Sequence, residues 1–406
     1  MSNTTLAIIL AGGHGSRLQP LTSDRAKPAV PFGGKYRIID FTLANCLHSD
    51  MRRVLVLTQY KSHSLHKHLR DGWSIFNPEL GEYITAVPPQ MRRGDGWYLG
   101  TADAVQQNRW LVERSGADNV LLLSGDHVYR MDYAAMVERH EQSGALLTVG
   151  CMSVPLSEAG SFGVMTLGDE DQVLDFVEKP DQPAADPLAP DQALVSMGVY
   201  VFDAQRLLDI LAADADNPDS GHDFGSDIIP ALIGDDGVRA YRFGGEEGRV
   251  SADGYWRDVG TLDAYYAANM DLLEPVPPLD LYQPDWPIRS YQGQTAPMRT
   301  VPGALHNEGI FINSMAAGGV IVAGGMVQHS ILGTNVLVGD EAQVRDSILL
   351  GDNNVGDGAV LQGCIVDKGV NIPAGERIGE DPQADAARFT VSPAGIVVVP
   401  RGFQFG

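Results

Sequence analysis

Over the last quarter of the chain, aliphatic side chains return every six residues. Val320, Met326, Leu332, Val338, Val344 and Leu350 form one series, and Val360, Val366, Ile372 and Ile378 form a second. The step from Leu350 to Val360 is ten, a register slip of two. Glycine, aspartate and asparagine fill the intervals, and residues 309–379 hold 14 glycines. A hexapeptide period of this kind is the signature of a parallel β-helix, where one inward side chain per short strand fills the coil. Ten positions in two phased series argue against chance clustering. The tail, residues 386–406, carries the strand-like run Gly395 to Val399 and is expected to pack back on a domain.

The first two-thirds alternates strand and helix signals. Apolar runs at Leu6–Leu10, Arg53–Leu57 and Asn119–Ser124 are separated by helical stretches, including residues 102–114 and 132–143. Continuous apolar strands between helices imply a parallel sheet covered on both faces. Further strand-like runs follow at residues 145–149, 162–167, 173–177 and 195–202. From Glu274 to Pro302 the sequence turns Pro-rich and irregular, which reads as a linker. The expected division is therefore 1–273, a linker over 274–302, and a repeat domain with its tail over 303–406. A chain of 406 residues is long enough for two or more domains at roughly 100–200 residues each.

The net charge is −23, which disfavours binding to nucleic acid or to an anionic membrane surface unless positive charge is concentrated locally. Cys46, Cys151 and Cys364 are isolated and form neither a disulfide framework nor a zinc ribbon. The opening apolar run, Leu6 to Ala11, is too short for a signal core or a membrane span. A soluble, cytoplasmic protein is expected.

Local positive charge does exist. The first strand ends in Leu10-Ala-Gly-Gly-His-Gly-Ser-Arg-Leu18, and between His14 and Arg37 lie Arg17, Arg25, Lys27, Lys35 and Arg37 against Asp24 alone. Glycines after a strand let backbone N–H groups turn toward a phosphate, and Arg17 can grip two oxygens with its planar fork. The loop lacks the Gly-Lys-Ser/Thr of a P-loop, and Leu18 stands where the dinucleotide fingerprint needs glycine. A bare glycine turn is often only structural. The basic cluster beside it points to a polyanionic ligand.

Leu122-Leu-Ser-Gly-Asp-His127 is a strand ending in a carboxylate, Asp126, placed where a phosphate-bound Mg²⁺ would lie. Asp258, in Tyr255-Trp-Arg-Asp-Val-Gly-Thr261, is the candidate second acid. Each alone also fits a turn or cap. Glu178-Lys179-Pro180 sets a carboxylate suited to sugar hydroxyls beside an ammonium suited to a phosphate, although such neighbours are usually a surface pair. Trp97-Tyr98 either stacks on a ring or plugs a core. His63, His66 and His68 read as a polar helix face rather than a metal site.

These stretches resemble the sugar-nucleotide pyrophosphorylases, and within them the bacterial glucose-1-phosphate adenylyltransferases. Arg25-Ala-Lys-Pro-Ala-Val30, Trp97-Tyr98 before Gly100-Thr-Ala-Asp-Ala104, and Tyr255-Trp-Arg-Asp-Val-Gly-Thr261 carry the likeness to that group, which covers essentially the whole chain. The resemblance implies an α/β, Rossmann-like nucleotidyltransferase domain with a mostly parallel sheet, followed by a left-handed parallel β-helix. It implies the reaction of ATP with α-D-glucose 1-phosphate to give ADP-glucose and pyrophosphate, for glycogen synthesis, with Mg²⁺ as cofactor and a homotetrameric assembly.

Carried onto this chain, the resemblance makes Arg17, Lys27 and Asp126 catalytic. Leu10, Ala11, Gly12, Gly13 and Gly15, with Arg17 and Lys27, bind ATP. Asp126 and Asp258 hold the metal. Tyr98, Gly163, Glu178, Lys179 and Ser196 bind glucose 1-phosphate. Arg25, Arg37 and Arg114 are the candidate contacts for small anionic effectors. Two positions depart from the family pattern. Asp24 stands where members activated by fructose 1,6-bisphosphate have lysine, and Pro31 replaces a histidine of the nucleotide inhibitor site. Weak or altered activation is therefore expected. The alternatives are a pyrophosphorylase for another sugar nucleotide, a non-catalytic regulatory subunit, and a hexapeptide acyltransferase, for which His329 is the only histidine inside the repeat.

Overall fold

The computed structural model describes residues 4–90, 97–187, 189–234, 237–244 and 254–406. A nine-stranded sheet forms the first part. Its nucleus is parallel: Thr5–Ala11 lies between Arg53–Thr58 and Asn119–Ser124, and Tyr83–Val87 adds beyond Arg53–Thr58. The first three are buried on both faces, which is why they read as continuous apolar runs rather than alternating ones, whereas the edge strand Tyr83–Val87 is only half-buried. The other half is joined by Gln192–Asp203, which runs antiparallel to Asn119–Ser124 and also to Leu147–Pro155 and Gly163–Leu167.

The helices follow local chemistry. Tyr133–Ser143 begins where Asp132 Oδ1 accepts the Ala134 N–H at 3.0 Å and ends on Gly144 in the left-handed region. The single helix expected over 102–114 is two helices, Thr101–Gln107 and Arg109–Ser115. They break at Asn108, whose amide donates back to the Ala104 carbonyl at 2.8 Å.

Residues 274–298 are irregular yet not loose, while Arg299–Val301, inside the expected linker, is already a strand of the coil paired with Ile321–Ala323. Trp286 is 1% exposed, donates from Nε1 to Asn45 Oδ1 at 3.1 Å and lies against the His48 ring. Buried Asp40 gathers the same region, accepting from His68 Nε2 at 2.6 Å, Trp73 Nε1 at 2.8 Å and Ser290 Oγ at 2.7 Å. A proline-rich stretch stays in place here because Leu279, Trp286 and Ile288 are buried against the sheet domain.

The repeat forms a three-sided coil of short parallel strands. Val338 pairs with Val355 and Val355 with Ile372, so one turn takes 17 residues on this side. On the second side Val327, Val344, Leu361 and Ile378 stack inward, and on the third Leu332, Leu349 and Val366. A strict six-residue period would need 18 per turn. The missing residue explains the slip in the sequence: Leu332, Val338, Val344, Val366, Ile372 and Ile378 point inward as expected, whereas Met326 and Val360 directly precede the inward Val327 and Leu361, and Leu350 directly follows the inward Leu349. Small residues turn the corners, and Ser330, Ser347 and Cys364 stack there, the Ser347 N–H donating to Ser330 Oγ at 3.1 Å. Val397–Val399 adds a further parallel strand to Cys364–Val366, so the tail extends the coil. Each fully buried inward aliphatic contributes about 1.5–3 kcal/mol relative to exposure.

One side of the coil is buried twice. Its inward residues fill the coil, while its outward residues Ile331, Ile348, Ile365 and Val398 join the same apolar cluster as the sheet domain's Phe32, Tyr265 and Leu272. Polar links cross the seam: Tyr266 OH donates to the Asp346 carbonyl at 2.5 Å, Ser392 Oγ donates to Asp263, and Arg25 Nη1 reaches Asp367 Oδ1 at 2.8 Å.

Candidate active site

The carboxyl ends of Thr5–Ala11 and Asn119–Ser124 lie side by side, with Leu10 opposite Ser124 and the Gly125 N–H donating to the Leu10 carbonyl at 3.1 Å. The loops that follow them therefore share one crevice, where open α/β sheets bind ligands. A cleft of about 270 Å³ opens there. Leu10, Ala11, Gly13, Gly15, Arg17, Lys27 and Asp126 all line it. Gly12 sits just behind, where a Cβ would come 3.2 Å from the Gln59 Cβ. Gly15 has φ +59°, and its carbonyl accepts from Thr22 Oγ1 at 2.8 Å, which folds the following segment back so that Lys27 faces the loop.

Lys27 organises the far wall. Its Nζ lies 2.8 Å from Asp126 Oδ2 and 2.8 Å from Asp258 Oδ1, with the lysine side chain 8% exposed. Three stretches distant in sequence thus meet at one ammonium. Asp258 reaches it because Trp256–Asp258 pairs antiparallel with His127–Tyr129, setting Asp258 opposite His127. Burial alone would depress the Lys27 pKa, but the two carboxylates outweigh it and the value is raised. Burial likewise favours the neutral form of Asp126. The charges of Lys27 and His127 and the hydrogen bonds from Lys27 and Ser124 Oγ, the latter at 2.5 Å, prevail and hold its carboxyl well below the usual range. Both are charged at neutral pH.

Asp126, His127 and Asp258 each offer a ligand atom, all within 4.8 Å of one another, the only such group of three or more among the described residues. His127 Nε2 lies 3.5 Å from Asp126 Oδ1. Two hard carboxylates at the edge of a phosphate-sized cleft fit Mg²⁺, which favours oxygen donors and keeps part of its shell for substrate phosphates. The residues present therefore fit that ion. The histidines at 63, 66 and 68 do not converge: His66 bonds Thr58 and His68 bonds Asp40. His329 is held by Asp346 at 2.7 Å.

On the other side, Glu178 ends the strand Val173–Glu178 and its carboxylate pairs with Lys179. The Glu178 Oε2 passes between two glycines. A Cβ would stand 2.9 Å from it at Gly163 and 2.6 Å from it at Gly225. Buried Ser196 Oγ lies 3.1 Å from Tyr200 OH, and Tyr98 OH accepts from Asn108 at 3.0 Å. A chain of rings, Phe162, Trp256 and His127 at 5.2 and 4.9 Å, links this side to the carboxylates.

Sequence reasoning left Trp97 open and gave Tyr60 and His14 no part. The structure stacks Trp97 on Tyr60, 4.8 Å apart and 13° from parallel, with His14 of the glycine loop 3.5 Å beyond. The signal available was Thr58-Gln-Tyr60 at the end of a parallel strand, the same position relative to the sheet as the glycine loop. Of the three effector candidates, Arg25 and Arg37 lie together at the seam with Lys368. Burial lowers the pKa of Arg37 and of Lys368, and Arg25 lowers both further. Arg114 is exposed in the last turn of Arg109–Ser115, and no contact among the described residues joins it to that cluster.

The three cysteines are buried and free, and no helix among the described residues is long and apolar enough to cross a membrane. Residues 6–275 match the nucleotidyl transferase family, and residues 296–399 match the GlmU-like C-terminal hexapeptide family. The chain is 61% identical over 401 residues to glucose-1-phosphate adenylyltransferase 2 of Vibrio cholerae, covering 99% of this chain and 98% of that one. It is 61% identical to the Vibrio parahaemolyticus protein of the same name, covering 98% and 99%, and 49% identical to glucose-1-phosphate adenylyltransferase of Methylococcus capsulatus, covering 98% and 94%. With both halves of the fold matched and a cleft that gathers glycine loop, Arg17, Lys27 and paired aspartates, the chain belongs to the glucose-1-phosphate adenylyltransferases, within the nucleotidyl transferase family.

Proposed function

We propose that the protein transfers the adenylyl group of ATP to α-D-glucose 1-phosphate, releasing pyrophosphate and ADP-glucose for glycogen synthesis. The observation that carries this reading is the convergence of Lys27, Asp126 and Asp258 on one cleft with the glycine loop and Arg17. A phosphate oxygen of the sugar attacks the α-phosphorus in line and the bond to pyrophosphate breaks. The protein's task is to align two anions and neutralise charge.

In this reading Leu10 to Gly15 cradle the nucleotide, while Arg17 and Lys27 take the charge of the departing pyrophosphate. Asp126 and Asp258 would hold Mg²⁺, which when bound supplies electrostatic stabilisation of the phosphoryl oxygens. Lys179 receives the sugar phosphate, and Tyr98, Gly163, Glu178 and Ser196 shape the glucose site, with Glu178 Oε2 available to hydroxyls between its two glycines. A regulatory subunit would have lost part of this set, and all of it is present. Pyrophosphate release measured with ATP, GTP, UTP and dTTP, each against glucose 1-phosphate and mannose 1-phosphate, tests the assignment. Preference for any pair other than ATP with glucose 1-phosphate overturns it.

Anionic effectors are proposed to bind near Arg25, Arg37 and Lys368 at the seam. Exposed Asp24 at its edge weakens fructose 1,6-bisphosphate activation, and strong activation on titration with that effector would refute this. We further propose a cytoplasmic homotetramer assembled through the coil, which light scattering of the purified protein checks.

A further inference from the structure

Two sites that the reading above treats separately, the phosphate cradle and the metal carboxylates, share one cation. Lys27 Nζ lies within hydrogen-bonding distance of the same two aspartates that would ligate the ion, 2.8 Å from an oxygen of each. The side chain also lines the cleft floored by Gly13 and Gly15 and walled by Arg17. Its stem touches the glycine loop so closely that a Cβ on Gly15 would lie 3.2 Å from the Lys27 Cβ. The lysine is thus in contact with the loop that takes phosphates while its charge rests on the carboxylates.

A divalent ion bonds carboxylate oxygens at about 2.0–2.1 Å for Mg²⁺, well inside the ammonium's 2.8 Å. Two cations sharing both carboxylates at such range repel strongly in a site this shielded from water. A four-carbon stem with rotatable bonds lets the ammonium leave, and the phosphates of a nucleotide on the loop are the nearest anionic home.

We infer that Lys27 competes with the divalent ion for Asp126 and Asp258 and yields to it only by moving to the nucleotide's phosphates, so that metal and nucleotide bind with positive coupling. This rests on the assignment of the two aspartates as metal ligands. By linkage the coupling is reciprocal: phosphates that draw Lys27 away expose the carboxylates, and an ion that displaces Lys27 delivers its charge to the phosphates. Lys27 is then a positioning residue for the metal as well as a contact for pyrophosphate.

Mn²⁺ binding to the full-length protein, followed by the paramagnetic resonance signal of the free ion with and without α,β-methylene-ATP, tests this without turnover. In the parent protein the analogue should tighten Mn²⁺ binding at least tenfold. Lys27→Met should bind Mn²⁺ alone at least tenfold more tightly than the parent, and its coupling to the analogue should shrink at least fivefold, leaving only what phosphate ligation of the ion provides. Lys27→Arg keeps the charge with a fork that pairs with both carboxylates, and should bind Mn²⁺ no more tightly than the parent. Equal or weaker Mn²⁺ binding by a folded Lys27→Met protein, tighter binding by Lys27→Arg, or absence of coupling in the parent each overturns the competition. Asp126→Asn separates the two claims: Mn²⁺ binding that survives it removes the metal assignment itself, whereas its loss alongside an unaltered Lys27→Met leaves the assignment standing and refutes only the competition.

Discussion

Removing the Arg25 guanidinium tests what the seam between sheet domain and coil is worth. Arg25 Nη1 and Asp367 Oδ1 are 2.8 Å apart, with side chains 5% and 3% exposed. Deleting one member of a buried pair strands the other charge and costs about 3–5 kcal/mol. Asp367 keeps the Lys368 N–H at 2.6 Å, and the Lys368 and Arg37 charges stand close by, so the low end, about 3 kcal/mol, applies to Arg25→Met. At about 2.1 cal/mol/K per residue the whole 406-residue chain unfolds with an entropy near 0.85 kcal/mol/K, and Tm should fall by roughly 3–4 °C if both domains melt together. Combining Arg25→Met with Asp367→Leu removes the buried charge along with the attraction and should return stability to within about 1–2 kcal/mol of the parent. Calorimetry and urea unfolding followed by tryptophan fluorescence give both numbers. A double variant whose loss equals the sum of the single losses, or an Arg25→Met protein within about 0.5 kcal/mol of the parent, would refute the reasoning.

Asp126→Asn should lower kcat by at least about 10³-fold while leaving the circular dichroism spectrum unchanged, and near-normal Mg²⁺-dependent turnover would sink its role. Gly163→Ala places a Cβ 2.3 Å from Phe176 Cζ and 2.9 Å from Glu178 Oε2. Steady-state kinetics should show KM for glucose 1-phosphate rising about tenfold with KM for ATP little changed. Burial pushes the His140 imidazole down to about 4 from 6.5. The unfolded chain takes up that proton near pH 6.5 and the folded one only near pH 4, so this group's contribution is constant above pH 6.5 and is lost as pH falls toward 4, by about 3 kcal/mol. Urea midpoints across that window should be less pH-dependent in His140→Gln, and an unchanged slope would count against the imidazole.

The parts legible in the sequence were those carried by local chemistry. Leu10 to Leu18 announces a strand, a glycine turn and an arginine that lines the cleft within nine residues, Asp126 lies two residues past the end of the strand Asn119–Ser124, and Asp258 closes the short strand Trp256–Asp258. The coil was visible because every side of every turn repeats the same demand for one inward aliphatic. Its true pitch was not, since a corner that saves one residue per 17 shifts the phase without changing composition. Contacts between distant stretches left no trace. Nothing near Arg25 points to Asp367, 342 positions away, and nothing in the proline run around Trp286 shows that its indole seals the sheet domain. The stack of Trp97 on Tyr60 brings the approach to the helix Thr101–Gln107 against the end of the strand Arg53–Thr58, which only the assembled domain provides.

Arg25 and Lys27 are separated by Ala26 alone. One side chain is moored to the coil and the other to the paired carboxylates of the cleft, Asp126 and Asp258. Two peptide units span about 7 Å, so the footing of the sheet domain on the coil and the geometry of its candidate active site are written into a single short piece of backbone. The coil supplies none of the residues lining the cleft, yet it holds the segment that aims the lysine. A catalytic domain cut free at the linker would keep its glycine loop and both aspartates, and would lose the mooring that fixes where their cation points.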